Sequence, residues 1–231
     1  MKSNINSVIV FDCETGGLDS GPDPKTKTIN PITQIALQSF ELTDFKEINR
    51  YQDYVLPYDN PVYDDKALAY TGITLQLLHL KGKEIKEVVK NLCIKFEEAN
   101  TTRSKIKKPI LLGHNVLFDI GFLQYAFHYC KVDLSKYIQV QEKGYNKGMP
   151  MFYDTMWMMR QKFAMEDMKF TLGSCCQKMG VDLTDAHNAM NDVTATKELF
   201  VRLIEDLRSE GKDGQGKIQK KRISSTRGNI S

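Results

Sequence analysis

From Val8 to Phe11 the chain is an unbroken apolar run, too short for a helix, and it predicts a strand buried on both faces at the centre of an α/β sheet. Thr15-Gly16-Gly17 breaks that run, and Asp19 to Asn30, with Gly21, Pro22 and Pro24, has loop chemistry. Strands follow at Ile32–Phe40 and around Tyr51–Leu56 with no helical period between them, which predicts a hairpin or meander. The pattern then turns helical. Asp64 to Tyr70 forms a first helix, and Thr71-Gly72-Ile73-Thr74 ends it and can cap the next turn. Ile85, Val88, Val89, Leu92 and Phe96 recur at helical spacing and predict an amphipathic helix over Lys83–Glu98.

A second buried strand signal, Ile110-Leu111-Leu112, is closed by Gly113-His114-Asn115. Phe118, Phe122, Leu123 and Phe127 then line one side of a helix. Tyr137–Val140 is a short strand or loop leading to a segment with Gly144 and Gly148. Helices are predicted at Asp154–Phe163, at Thr171–Met179 with Gly180 as its stop, and over a final stretch. That last helix, with Asp185 as a candidate cap, presents Ala189, Met190, Val193, Leu199, Phe200, Leu203 and Ile204 to the core. This order predicts a mixed α/β sheet with helices packed on it.

With 231 residues and 41% hydrophobic content, the chain can bury a substantial core as one domain. No apolar run approaches the ~20 residues a membrane span needs. The polar stretch Met1 to Ser7 lacks the pattern of a secretory leader. The five cysteines fit neither a disulfide framework nor a zinc site, so a reducing cytoplasm is expected. The net charge of +3 is concentrated at one end. Residues 211–231 carry Lys212, Lys217, Lys220, Lys221, Arg222 and Arg227 against Asp213 alone, leaving the rest of the chain slightly acidic. The expected division is a folded 1–210 domain and a basic, disordered 211–231 tail. That tail, rather than the body, is the segment expected to attract phosphate.

Two carboxylates stand at the end of the first strand. Asp12 and Glu14 are two apart, so both project from one face, while Cys13 between them faces the other way into the core. Ligand sites of α/β sheets favour that end of a strand. Asp119 falls in the first turn of the helix after Ile110-Leu111-Leu112, where an Asp is also comfortable without any function. His187 and Asp192 are five apart, about 140° around a helix and about 7.5 Å along it. His187 is therefore placed at or before the helix start and Asp192 one turn inside. A lone histidine there is more often a cap or a surface group. Acidic groups gathered without basic partners call for hard cations such as Mg²⁺ or Mn²⁺. No GxGxxG follows the first strand, which excludes a dinucleotide-binding reading, and adjacent Cys175 and Cys176 diverge on a helix.

Taken together, three segments carry a resemblance. Phe11-Asp12-Cys13-Glu14-Thr15-Gly16-Gly17-Leu18, then Gly113-His114-Asn115 leading to Phe118-Asp119, then His187-Asn188-Ala189-Met190-Asn191-Asp192, resemble the three motifs of the DEDDh, or DnaQ-like, 3′–5′ exonucleases. Order and internal intervals both match, over roughly Val8 to Ile204, with a weaker echo at Thr71-Gly72-Ile73-Thr74 and Thr171-Leu172. The resemblance implies a ribonuclease-H-like fold with a five-stranded mixed sheet. It also implies two Mg²⁺ or Mn²⁺ ions held by Asp12, Glu14, Asp119 and Asp192, with His187 as general base. Thr15, Gly16, Gly17, Leu18, His114, Asn115 and Phe118 are the substrate-contact candidates it implies, although Phe118 equally suits the core. Asn188 stands where a tyrosine marks the sister branch.

The sequence departs from the family pattern at Gly16, where a second Thr is frequent, at Gln34, where Glu is frequent, and at Tyr70, where His is common. None of these removes a metal ligand. The implied activity is release of 5′-mononucleotides from the 3′ end of single-stranded DNA or a frayed primer, as in a polymerase proofreading exonuclease. Two alternatives stay open: RNA 3′-end trimming of the RNase T or oligoribonuclease type, and an accessory module bound to a DNA polymerase or clamp. The partner expected in every case is a single-stranded 3′ end, DNA favoured, and no membrane.

Overall fold

The structure, a computed structural model, describes residues 7–101, 108–184 and 186–225. Five strands form one sheet: β1 (Ser7–Thr15), β2 (Ile32–Glu41), β3 (Glu47–Tyr54), β4 (Ile110–Gly113) and β5 (Phe152–Asp154). Their spatial order is β3-β2-β1-β4-β5. β1, β2 and β3 pair antiparallel, and β4 and β5 join in parallel. The mixed sheet implied by the sequence is therefore present, with β1 at its centre.

Strand alternation divides the interior. Ile9, Phe11 and Cys13 of β1 face one core, closed by α3 (Ile85–Ala99) and α4 (Leu117–Tyr129). Val8 and Val10 face the other, closed by α7 (Ala189–Ser225) through Ala189, Val193 and Phe200. A third cluster joins α5 (Thr155–Lys162) and α6 (Leu172–Met179) to α7 through Met159, Cys175, Cys176 and Leu199. The fully buried apolar residues of β1 explain why it sits mid-sheet: both of its faces are dry.

Several caps follow their sequence signals. Asp64 caps α1 (Asp65–Thr71), Gly72 ends it at φ 69°, and Thr74 caps α2 (Leu75–Lys81). Thr171 caps α6 and Gly180 ends it at φ 67°. Other expectations shift. β3 runs Glu47–Tyr54 rather than around 51–56; its side chains are at most partly buried, and it carries no apolar alternation from which its bounds could be read. α2 is a full helix rather than a turn. A 3₁₀ turn, Leu134–Lys136, precedes the 137–140 segment, which contributes only an isolated bridge between Val140 and Pro150. The fifth strand is instead Phe152–Asp154, too short to show a period. Asp185 lies outside the described residues, and α7 starts later, with the Asn188 side chain accepting from Met190 N at 3.2 Å. Helical backbone continues to Ser225, so 211–225 is helical where the apolar pattern predicts an unordered tail. No helix among the described residues is long and apolar enough to cross a membrane.

Candidate active site

The site forms where β1 leaves the core. Glu14 pairs with Gln34 on β2, and the register then slips so that Thr15 meets Ile32. This irregularity turns the chain out of the sheet just after the two carboxylates. Asp12 and Glu14 lie on the same face as Val8 and Val10, and that face is covered by the start of α7. α7 therefore delivers Asp192 from its first turn onto them. One carboxylate oxygen from each of Asp12, Glu14 and Asp192 lies within 4.8 Å of the other two.

Asp119 enters from the other side. It is buried in the first turn of α4, and its Oδ1 accepts the Cys13 amide at 3.1 Å, tying α4 to β1 between the two β1 carboxylates. The turn before it is tightly made. Gly113 leaves no room for a Cβ, which would stand 2.6 Å from Val116, and Asn115 has φ 62°. The Asn115 and Val116 amides donate to Asp154, which also caps α5 through Met156 and Trp157. Buried Asp154 was legible in the sequence only as a helix start. Its second task, holding the turn that aims Asp119, needs the two parallel strands side by side.

The electrostatics are those of an uncompensated acidic cluster. Burial, then the charges of Asp119, Glu14 and Asp192, push the Asp12 carboxyl well above the carboxylate range. Burial and Asp192 push Glu14 up to about 7. Burial lifts Asp119 to about 8 although the Cys13 amide pulls it down. Asp192 is raised by burial against the opposing pull of the His187 amide. Among the described residues, no lysine or arginine is one of the groups acting on these four. Asp192 Oδ1 is buried without a hydrogen-bond partner. An orphaned buried carboxylate oxygen beside two further carboxylates fits a divalent cation, and hard oxygen donors suit Mg²⁺ or Mn²⁺.

His187 sits in the loop before α7 with φ 71°, and its amide donates to Asp192 Oδ2 at 3.2 Å. Its imidazole packs against Tyr70, ring centroids 3.9 Å apart. Beside the carboxylates opens a cavity of about 430 Å³, lined by Thr15, Gly17, Leu18 and Phe118 on one side and by Asp64, Lys66, Ala67, Tyr70 and Thr71 of the α1 region on the other. Leu18 is 79% exposed. Gly16 and Gly17 allow close packing: a Cβ on Gly16 would meet Tyr63 and Pro31, and one on Gly17 would strike the Asn30 side chain. Gly16 further bonds Pro31 O and accepts from Asp64 N, fixing α1 across the cavity.

Two substrate-contact candidates lie elsewhere. Both nitrogens of His114 are engaged inside the protein, with Thr155 Oγ1 and Phe170 O, each at 2.9 Å. Asn115 shapes the turn before α4 and does not line the cavity. Sequence reasoning missed the α1 wall. The Tyr70 departure and the echo at Thr71-Gly72-Ile73-Thr74 were its signals. It also left Gln34 without a role. Gln34 is buried opposite Glu14, its Oε1 accepts from Ala189 N at 3.1 Å, and its Nε2 is a buried donor with no partner.

The chain is similar to known proteins in sequence and in fold. The model of the RNase_T family, described as exonuclease, matches residues 9–200. The chain is 28% identical over 204 residues to the PolC-type DNA polymerase III of Bacillus cereus, a match covering 88% of the chain and 12% of that protein. It thus spans only about an eighth of these polymerase relatives. Ribonuclease T of Vibrio vulnificus is 23% identical over 214 residues, covering 88% of the chain and 86% of the relative. Among solved structures, Escherichia coli exonuclease I in complex with a dT13 oligonucleotide superposes with a TM-score of 0.69 at 22% identity, over 90% of this chain and 43% of that one. That likeness is one of fold.

Proposed function

The chain belongs to the RNase_T family of exonucleases, and from that membership we propose that it hydrolyses single-stranded DNA, or a frayed primer end, from the 3′ terminus to 5′-mononucleotides. The observation that carries the reading is the convergence of Asp12, Glu14 and Asp192 beside a cavity large enough for a nucleotide. Asp12, Glu14, Asp119 and Asp192 would hold two divalent cations, Mg²⁺ or Mn²⁺. When bound, such a pair supplies charge stabilisation for an in-line displacement at phosphorus and acidifies the attacking water.

The chain's own residues do the rest. The cavity takes the terminal nucleotide, with Leu18 and Phe118 against its base and the Thr15–Leu18 backbone along its sugar. Apolar and aromatic contacts without base-edge partners give weak sequence preference. His187 accepts the proton of the water at an imidazole nitrogen, and its amide bond to Asp192 ties it to the metal-binding helix. His114 and Asn115 support this machinery from behind by holding the β4–α4 turn and the α5–α6 connection.

DNA is favoured because the polymerase relative is the more similar in sequence. RNA trimming is the second reading, favoured by the ribonuclease relative that the chain spans almost whole. We place the protein in the cytoplasm, where its five free cysteines stay reduced. We further assign the basic residues 211–231, of which 211–225 continue α7, to tethering a DNA polymerase or clamp. Matched 5′-labelled DNA and RNA strands digested with Mn²⁺ test the main reading. Stepwise shortening of the DNA is expected, faster than that of RNA, and absent with Asp12→Asn. Faster RNA shortening selects the second reading, and no shortening of either strand rejects both.

A further inference from the structure

The contact between Tyr70 and His187 joins two parts of the site that the reaction uses separately. Tyr70 stands at the end of α1, 67% exposed, and its ring is a wall of the cavity that also holds Leu18 and Phe118. The same ring lies 3.9 Å, centroid to centroid, from the His187 imidazole at an interplanar angle of 43°. The backbone around His187 is pinned without involving that side chain. Its amide bonds to Asp192 Oδ2, and the following residue, Asn188, bonds Met190 N and Gln52 Nε2 through its Oδ1. The main-chain anchors thus fix where the imidazole starts, and the Tyr70 ring supplies a surface that fixes where it points. α1 is in turn secured to the cavity floor through Asp64 N and Gly16 O, 2.7 Å apart.

We propose that Tyr70 is a positioning residue for His187, so that filling the cavity and placing the general base are coupled through one ring. The proposal rests on the exonuclease reading of the site. A base entering the cavity packs on the wall formed by Tyr70 and presses it toward the imidazole, narrowing the range of orientations the imidazole samples. Proton transfer demands such alignment, and a misplacement of about 1 Å can cost on the order of 100-fold in rate.

Tyr70→Phe and Tyr70→Ala separate this from a simple wall. The side chain is mostly exposed, so neither change opens the core, and thermal melting checks that both variants fold. With a single-stranded oligonucleotide and Mn²⁺, the Phe variant is expected to keep kcat within about twofold, because the ring remains. The Ala variant is expected to lose on the order of 10–100-fold in kcat at saturating strand, beyond any rise in KM. A rise in KM alone, with kcat unchanged, overturns the proposal in favour of a wall without coupling. A rise in kcat overturns it too, since the ring would then be holding the imidazole away from its task. A second readout needs no activity. The His187 imidazole resonances, assigned by their loss in His187→Gln, should carry a ring-current shift in wild type and Phe and lose it in Ala. If wild type proves inactive on every strand, the exonuclease reading fails. If the shift is absent from an active wild type, the positioning role alone fails.

Discussion

Val10 and Glu14 sit on one face of β1, at 0% and 8% exposure, and burial acts on them with opposite sign. Val10 gains from leaving water, by roughly 25 cal/mol per Å² of apolar surface covered. For Glu14 the same exclusion of water is a penalty, large enough to push its carboxyl up to about 7. Half a strand is stabilised by its surroundings, and the other half is held in place by the first. The flanking cores supply the stability, and the carboxylate edge draws on it to keep like charges together. A cation arriving there would meet Asp12, Glu14 and Asp192 with one oxygen each already within 4.8 Å of the others.

Changes at the acidic end should therefore abolish function while leaving the fold intact. Asp12→Asn keeps the shape and removes one carboxyl from the cluster. Turnover is expected to fall on the order of 10³-fold or more, the equivalent of several kcal/mol of lost transition-state stabilisation. The melting temperature of the metal-free variant at pH 8 should not fall, and a clear drop there would break the comparison. His187→Ala is the next largest effect, a loss of on the order of 10²–10⁴ in kcat with folding and Mn²⁺ affinity retained. Calorimetric titration with Mn²⁺ separates it from the Asp12 change.

The apolar end should behave in the reverse way. Ile9 is fully buried in the core beneath α3 and α4. Ile9→Ala is expected to cost about 2–5 kcal/mol of stability in a denaturant titration. At low temperature, where the variant remains folded, its kcat should stay close to wild type. Loss of activity without loss of stability would mean that the two halves of β1 are not separate in function.

This contrast also explains what could be read from sequence. The apolar half announces itself, because Val8–Phe11 is a run that only a buried strand explains, and Ile110–Leu112 repeats the signal. Asp12 and Glu14 are legible through the two-residue period of a strand. Asp119, His187 and Asp192 gain meaning only from motif order, since each alone suits an ordinary helix start. Contacts made by short or polar elements stay hidden. β5 is three residues long, β3 is half-exposed, and the turn held by Asp154 exists only when β4 and β5 lie side by side. The Tyr70–His187 contact crosses more than a hundred residues and has no local pattern at all.

The pH dependence of stability gives a smaller, signed effect. The four carboxyls bind protons more tightly folded than unfolded, because their folded values are raised. The unfolded chain therefore releases protons first as pH rises. Metal-free protein should lose stability from about pH 4 upward, through the folded values of about 7 for Glu14 and about 8 for Asp119. Millimolar Mg²⁺ or Mn²⁺ should flatten that decline, because binding only the folded state adds stability in proportion to the logarithm of ligand over Kd. Melting curves at pH 5, 6.5 and 8, with and without cation, check this. A metal-free stability that rises over this range would show that the acidic edge is compensated by groups outside the four carboxyls.

The smallest change sharpens the comparison most. Gln34 faces Glu14 across the β1–β2 pair and already serves α7 by accepting the Ala189 amide. Gln34→Glu preserves that acceptor, deletes the unpartnered Nε2 donor, and adds a carboxyl to the acidic face. At acid pH, where raised carboxyls such as Glu14 and Asp119 take up protons, the added carboxyl meets less like charge, so the variant should match or slightly exceed wild type in stability. Near pH 8 and without cation, the added like charge should cost on the order of 1 kcal/mol. Mn²⁺ should then recover more stability in the variant than in wild type, since the added charge strengthens cation attraction. Equal recovery would place Gln34 outside the field of the bound ions and confine its role to anchoring α7. Greater recovery would show that the acidic edge extends onto β2, so that its boundary with the core is set by charge rather than by strand.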